Sequence, residues 1–450
     1  MLLCAVMVAG LLGGCSGDPG KSNAESKPST KPAQLVLPEA YDTKRGWDAK
    51  LDWVSKHATT LPVAVVPSGG VGLLDKSPDG YSVQLRDAAT GKIRWSARPW
   101  TPPSADTDAD KERPPSIPEL FAVEQDGQQY LVVSARGVKG RDALHHGEAV
   151  VQLAVYAADS QGNAVAPLRE ISLPDAGVSR YMGDGHRLLV TNGSYQDGPH
   201  GTDAAIVDVA TGKVTERENA FIDMRVCPPG RSCDGAVYVG ISEDGLVLAN
   251  NNGGGFTVLD KWTSPDVTPE GFDRQEKDGS SDYNGRAYGV VDTHILTMWS
   301  GSQGPTWMLQ DTATGRVDMK AQCVSYAEES LWTWEDHIVV SPNGRYVIAG
   351  PVVFDREQKK GFCLDWDRDR DRKGVSLTSV TDNGMAYGVV EESDPQVLVQ
   401  VPLDTAEPKV LSPNTVLPLM QGDGYGLVTR HDPGDPLQIF VRPLRSSSDK

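Results

Sequence analysis

The sequence predicts an all-β fold: a single β-propeller of four-stranded antiparallel blades, closed by an N-terminal strand. Eight blades is the first reading and seven the alternative. Three observations lead there. One turn phrase is written three times, as Asp87-Ala-Ala-Thr-Gly-Lys-Ile93, Asp208-Val-Ala-Thr-Gly-Lys-Val214 and Asp311-Thr-Ala-Thr-Gly-Arg-Val317. A second glycine marker recurs at steps of about 40 to 60 residues, the length of one blade with its loops. The last hairpin in the chain lacks an outer strand, and the N-terminal region holds a segment that fits.

The turn phrase is built for a hairpin. Asp and Thr bond nearby backbone groups and hold the bend. Gly91, Gly212 and Gly315 accept a positive φ. The strand before the first copy, Tyr81-Ser-Val-Gln-Leu-Arg86, alternates apolar and polar residues, the period of a half-buried strand. Trp95 follows four residues after Gly91 and is large enough to wedge between neighbouring sheets.

The second marker is Asn-Gly or Asp-Gly, the preferred pair of a two-residue hairpin. It occurs at Asp126-Gly127, Asp184-Gly185, Asp244-Gly245, Asn284-Gly285, Asn343-Gly344, Asn383-Gly384 and Asp423-Gly424. Gly69-Gly70 is a degenerate first member, and discounting it gives seven blades. The phrases around Asn284 and Asn383 are nearly identical and read as equivalent hairpins. The last blade runs through Tyr425-Thr429 and Leu437-Val441. The alternating segment Trp47-Asp-Ala-Lys-Leu-Asp-Trp53 is expected to supply its outer strand and so remove an open edge.

With Trp95 behind its first copy, the phrase Asp-x-Ala-Thr-Gly-Lys/Arg-Ile/Val resembles the quinoprotein-like, PQQ-type β-propeller repeat. The resemblance covers most of residues 47–444 and no catalytic residue. It implies a propeller of the kind that serves elsewhere as an envelope scaffold or a sensor domain. It also raises a quinone-dependent dehydrogenase with calcium, a catalytic aspartate and an adjacent-cysteine disulfide. The chain has no Cys-Cys pair and no recognisable cofactor cage, so no cofactor is expected. Fold does not carry activity with it.

Residues 1–14 hold no charge, and Leu12-Gly-Gly leads into Cys15. They resemble a bacterial lipoprotein signal, which implies their removal and acylation of Cys15. The segment is too short to cross a membrane as a helix, and no Lys or Arg precedes its apolar core, a departure from the usual signal. Residues 15–40 read as a disordered, lipid-anchored linker rich in Ser, Lys, Pro and Gly. The propeller is expected over 41–445 and a disordered tail over 446–450. The expected location is the extracytoplasmic face of the cell membrane.

Cys227, Cys233, Cys323 and Cys363 remain in the body. An even number outside the cytoplasm favours disulfides. Cys227 with Cys233 closes a short Pro/Gly loop, which leaves Cys323 with Cys363; sequence alone leaves the pairing open. A zinc site is disfavoured, since there is no Cys-x-x-Cys pair. Nucleic acid is disfavoured too, with 61 acidic against 43 basic residues and a net charge of −18, the wrong sign for phosphate neutralisation.

Other motifs carry little chemistry. Asp365-Trp-Asp-Arg-Asp-Arg-Asp places a carboxylate at every second position but puts Arg370 and Ser376 where a calcium loop needs Gly and Glu. His145-His146 with Glu148 lacks a third ligand. Gly301-Ser-Gln-Gly304 is not a nucleophile elbow. Asn251-Asn-Gly-Gly-Gly255 lacks the lysine and helix of a phosphate loop. Trp299, Trp307, Trp332 and Trp334 are candidate ligand-contact aromatics, with packing between blades the commoner role.

The functional expectation is therefore a non-catalytic binding or scaffold module of the cell envelope. Its partner is an envelope protein or cell-wall component, and its membrane contact is the lipid anchor. The rivals are a cofactor-dependent dehydrogenase or hydrolase with its site in the central channel, and a carbohydrate-binding propeller.

Overall fold

The computed structural model describes residues 35–55, 58, 60–104, 117–174, 179–183, 187–192, 203–217, 236–250, 254–272, 285–301, 304–324, 338–366, 372–391, 393–431 and 435–445. Cys15, Asp184, Cys227, Cys233, Asn284, Trp332 and Trp334 lie outside them, as do the expected signal segment and tail. Val36–Lys450 belongs to one compact unit.

Eight antiparallel sheets form the blades. Numbered in chain order, they start at Val63–Val66, Glu119–Gln125, Ser179–Gly183, Ala236–Ser242, Arg286–Val291, Ile338–Val340, Val375–Val380 and Met420–Gly422. First strands pack on first strands around the ring, from blade 1 to 2, 2 to 3, 3 to 4, 4 to 5, 6 to 7, 7 to 8 and 8 back to 1. Blades 5 and 6 meet where the Ile338 side chain lies against Gly289. The fold is an eight-bladed β-propeller.

The ring closes as the alternation of residues 47–53 predicts. Trp47–Leu51 pairs antiparallel with Leu437–Pro443, Trp47 opposite Val441 and Leu51 opposite Leu437. That makes it the fourth strand of blade 8. Arg442 ties the pair from its side chain, donating to the Trp47 carbonyl and to the Asp48 carboxylate. The sequence does not announce one addition: Gly162–Val165 leaves blade 2 and pairs in parallel with the outer strand Ile93–Ala97 of blade 1. Blade 1 is thus five-stranded.

The three copies of the turn phrase join third to fourth strands in blades 1, 3 and 5. All three fold alike. The Asp carboxylate accepts the Thr backbone N–H at 2.9, 2.8 and 2.8 Å, and the Gly N–H donates to the Asp carbonyl at 2.8 Å. The glycines have φ of +70°, +80° and +71°.

A second requirement explains why the phrase recurs. Each of these glycines lies under a side chain from the preceding blade. A Cβ on Gly91 would sit 2.6 Å from the Trp47 ring, one on Gly315 2.2 Å from Val267, and one on Gly212 3.3 Å from Arg169. The indoles also donate across the seam: Trp47 Nε1 to the Ala88 carbonyl at 2.9 Å, Trp262 Nε1 to Thr312 at 2.9 Å and Trp95 Nε1 to Ala158 at 3.0 Å. Ala88 and Thr312 directly follow the Asp of the phrase. The turn is a socket for the neighbouring outer strand as well as a bend.

The Asn-Gly and Asp-Gly series needs one correction. The markers at Gly69, Asp126, Asp244, Asn343, Asn383 and Asp423 each separate a first strand from a second. Gly285 instead leads into the first strand of blade 5, whose own turn to the second strand is Asp292-Thr293. The two nearly identical phrases therefore occupy different places: Arg286–Val291 is a first strand and Met385–Val390 a second. Their shared glycines make room for different neighbours. Gly289 admits Ile338 of the next blade, whereas Gly388 lies against the Ser376 carbonyl of its own blade. The phrase specifies a bend followed by a buried strand, not which bend.

Apolar clusters fill the seams. One joins Leu74, Leu85 and Trp95 of blade 1 to Leu131, Val133 and Tyr156 of blade 2. Similar clusters span the other seams up to blades 6 and 7, and blades 8 and 1. Between blades 7 and 8 the fully buried Tyr41 serves. Its ring centroid lies 5.9 Å from that of Tyr387 in blade 7, and its hydroxyl donates to Gln421 Oε1 in blade 8 at 2.9 Å. Gly426 of blade 8 leaves the space the ring needs. Just before it, Val36 bridges to Thr415 in the link between these blades.

Candidate functional site

The meander gives the ring two unlike ends. Turns from first to second strand and from third to fourth leave each blade at one end. Turns from second to third strand, and the links between blades, leave at the other. Among the described residues the first end is mostly tight turns, such as Asp126-Gly127, Asp423-Gly424 and the Thr-Gly sockets. The second end carries the longer connections. It also carries exposed apolar side chains on three successive links: Val324 is 65% exposed between blades 5 and 6, Trp366 40% between 6 and 7, and Leu419 40% between 7 and 8. Leu144, at 88%, tops the hairpin from second to third strand in blade 2.

That hairpin tip holds the histidine pair. The Asp142 carboxylate accepts the N–H groups of Leu144 and His145 at 2.7 and 2.8 Å and meets His145 Nδ1 at 2.8 Å. His145, His146 and Glu148 are exposed and do not converge on a metal geometry with other described residues. The His145 ring is engaged in ordering the turn that displays Leu144.

Trp299 and Trp307 do not offer ring faces to a ligand. Trp299 is 1% exposed, donates to Gln310 Oε1 at 3.0 Å and meets Phe256 edge-on. Trp307 is 4% exposed, with its ring 4.7 Å from that of Tyr288. Gln310 Oε1 also accepts the Thr297 hydroxyl. Trp299 and Trp307 lie on the second and third strands of blade 5, which are buried on both faces, and each packs into the seam on its own side.

Cys323 and Cys363 are joined as a disulfide, Cα to Cα 5.4 Å. Cys323 follows the outer strand Val317–Gln322 of blade 5 and Cys363 ends the outer strand Lys360–Cys363 of blade 6, so the bond crosses a seam. Asp365, only 5% exposed, accepts the Val324 N–H at 2.6 Å. Its place is fixed through Leu364, whose N–H donates to Pro351 and whose carbonyl accepts from Val375. Of the expected acidic loop, Asp365 and Trp366 are described and 367–371 lie outside the described residues.

A shallow cleft of about 780 Å³ lies on the rim between blades 4 and 5. Its walls are the short 3-10 turn Ser264–Val267 with the following Thr268–Phe272, and the outer part of blade 5 including Met308, Arg316 and Lys320. Asp266 is engaged by Thr263 as a cap, and Arg316 pairs with Asp318 at 2.9 Å. The cleft has mixed charge and no nucleophile–base pair. Glu119, in the first strand of blade 2, carries no motif in the sequence, and burial pushes its carboxyl above its ordinary value.

No family model matches the chain, and no curated protein matches it. Among solved structures it is similar to the Dos1 propeller, at 10% identity over 89% of this chain and 95% of that one, TM-score 0.39. It is also similar to an uncharacterised protein of Listeria monocytogenes, at 8% identity over 87% and 91%, TM-score 0.37. A dipeptidyl peptidase 4 from Porphyromonas gingivalis aligns at 11% identity over 88% of this chain and 59% of that one, TM-score 0.44. These likenesses carry no functional argument.

Proposed function

We propose that the protein is a non-catalytic binding module of the cell envelope: a lipid-anchored, extracytoplasmic propeller built from PQQ-type repeats that holds a protein partner on its loop-bearing end. One observation carries the reading. Val324, Trp366 and Leu419 are exposed on three adjacent links at the same end of the ring. Three successive links thus put apolar surface at one end of the ring, where a protein partner can cover it. The tight-turn end is spent on sockets that hold blade to blade. The disulfide supports an oxidising compartment, and the sequence of residues 1–15 supports acylation at Cys15.

The test is crosslinked recovery from intact envelopes with wild type and a Val324→Ser/Trp366→Ser variant. A specific envelope protein recovered by wild type and lost by the variant supports the reading. Recovery of no specific partner, or equal recovery by both, overturns it. The anchor is tested separately by palmitate labelling, and an unmodified Cys15 in the mature protein refutes it.

A further inference from the structure

The corner between blades 5 and 6 holds more than a disulfide. One ligand atom each from Cys323, Cys363 and Asp365 lies within 4.8 Å of the others. Three residues that the sequence spreads over two blades are thus gathered at one point. The sequence sets Asp365 two residues after Cys363, but Cys323 comes from the outer strand of the neighbouring blade, and only the fold adds it to the set.

We propose that, once its disulfide is reduced, this corner is a metal site for a borderline-soft divalent cation such as Zn²⁺. Two thiolates and one carboxylate would hold the ion, with solvent in the fourth position. A thiolate pair with one oxygen donor is a chemically sound zinc set, and an open fourth position is common to three-ligand sites. Folding already gathers the three donors, and on reduction the two bonded sulfurs need only move apart to ligand spacing. Cys323 is 2% exposed and Asp365 5%, so both donors are held by surrounding packing, while Cys363 is partly open to solvent. A reductant can reach the bond from that side.

The chemistry balances with a dithiol as reductant. The donor dithiol is oxidised to its own disulfide, and two electrons and two protons pass to Cys323 and Cys363. On binding, each thiol releases its proton to solvent and forms one metal–sulfur bond. Asp365 contributes a carboxylate oxygen. The bond and the ion are alternative staples for the same seam: oxidised, the blades are joined through sulfur; reduced and loaded, through metal. The inference does not rest on the proposed envelope role, since it concerns only what happens where a dithiol reaches this bond.

The experiment uses the full chain, reduced and then freed of reductant without oxygen. Co²⁺ is the spectroscopic probe and Zn²⁺ the competitor. One equivalent of Co²⁺ should give a thiolate-to-metal charge-transfer band that Zn²⁺ abolishes, and the oxidised protein should give none. Cys323→Ser should lose the band, and Cys227→Ser/Cys233→Ser should keep it. Asp365→Asn should weaken Zn²⁺ affinity by about tenfold or more. Circular dichroism should show that the reduced chain keeps its β-structure. The proposal is overturned by no band in the reduced, folded chain, by a band that survives Cys323→Ser, by unchanged affinity in Asp365→Asn, or by loss of the fold on reduction.

Discussion

The indole N–H of Trp47 donates to the carbonyl oxygen of Ala88 at 2.9 Å, and the same ring covers Gly91. One residue of blade 8 thus reads two positions of a single turn in blade 1. Trp262 makes the matching bond to Thr312 at the seam between blades 4 and 5. The repeated phrase is conserved within the chain where it receives a neighbour, and Arg169 takes the place of the aromatic over Gly212.

Comparing two glycines separates bend from socket. Gly91 and Gly127 have nearly the same backbone, φ +70° and +74°, but a Cβ on Gly127 meets nothing within 4 Å. Gly127→Ala should cost about 1 to 2 kcal/mol, the strain of a left-handed residue with a Cβ. Gly91→Ala should cost about 1 to 3 kcal/mol more, from overpacking against Trp47. Denaturant midpoints measure both, and equal losses would show that the socket contributes nothing.

Tyr41 does at the seam of blades 7 and 8 what apolar clusters do elsewhere. Tyr41→Phe should remove the hydroxyl's contacts with the Gln421 amide, to Oε1 at 2.9 Å and from Nε2 at 2.7 Å, and cost about 1 to 2 kcal/mol. Tyr41→Ala should cost about 3 to 5 kcal/mol. The larger change should also open this seam to limited proteolysis, with first cuts near Thr415. First cuts elsewhere would count against the assignment.

The disulfide joins residues 40 apart in sequence. Its removal by Cys323→Ser/Cys363→Ser should cost about 2 to 4 kcal/mol. A thermal scan of variant and wild type, both oxidised, measures this; coincident transitions would show that the bond is not a staple.

Two carboxyls predict opposite responses to pH. Asp87 is held below the ordinary carboxylate range, first by the hydrogen bond from Arg94 and then by the Thr90 hydroxyl. Its contribution is present above the unfolded value of about 3.9 and fades as pH falls through the lower folded value. The thermal gap between wild type and Asp87→Asn should be wide at neutral pH and close in acid. Glu119 is raised by burial, so its ionisation costs stability above about pH 4.3. Glu119→Gln should raise the melting temperature at neutral pH and leave it unchanged at pH 3. A gap that does not vary with pH would contradict either case.

The ring itself was legible because its information is local and repeated. Asp87, Thr90 and Gly91 define a turn within five residues, and the alternation of residues 47–53 marks a strand awaiting a partner. What lay hidden depends on distant residues. Asn284-Gly285 and Asn383-Gly384 read alike, yet which strand follows is settled by Ile338 and Ser376. Trp299 and Trp307 could be placed in the core or on the surface until Gln310 and Tyr288 were seen beside them. Asp365 lies two residues from Cys363 in a stretch that reads as a solvated loop, and only folding brings Cys323 of the neighbouring blade against both. The three exposed links come to share one end of the ring only once the blades are formed.

The closing strand also sets the order in which the molecule can be completed. In blade 8, Asp48 and Arg442 are 394 positions apart in the chain. Trp47–Leu51 leaves the ribosome first among the strands, and Leu437–Pro443 last. Earlier blades can collapse onto one another during synthesis, but the first strand must wait through nearly all of it with its backbone unpaired. Non-local pairing of this kind is slow and leaves an edge open to aggregation. Closure therefore waits for the two ends of the propeller to meet, and a chain stalled before Leu437 lacks the partner strand for Trp47–Leu51.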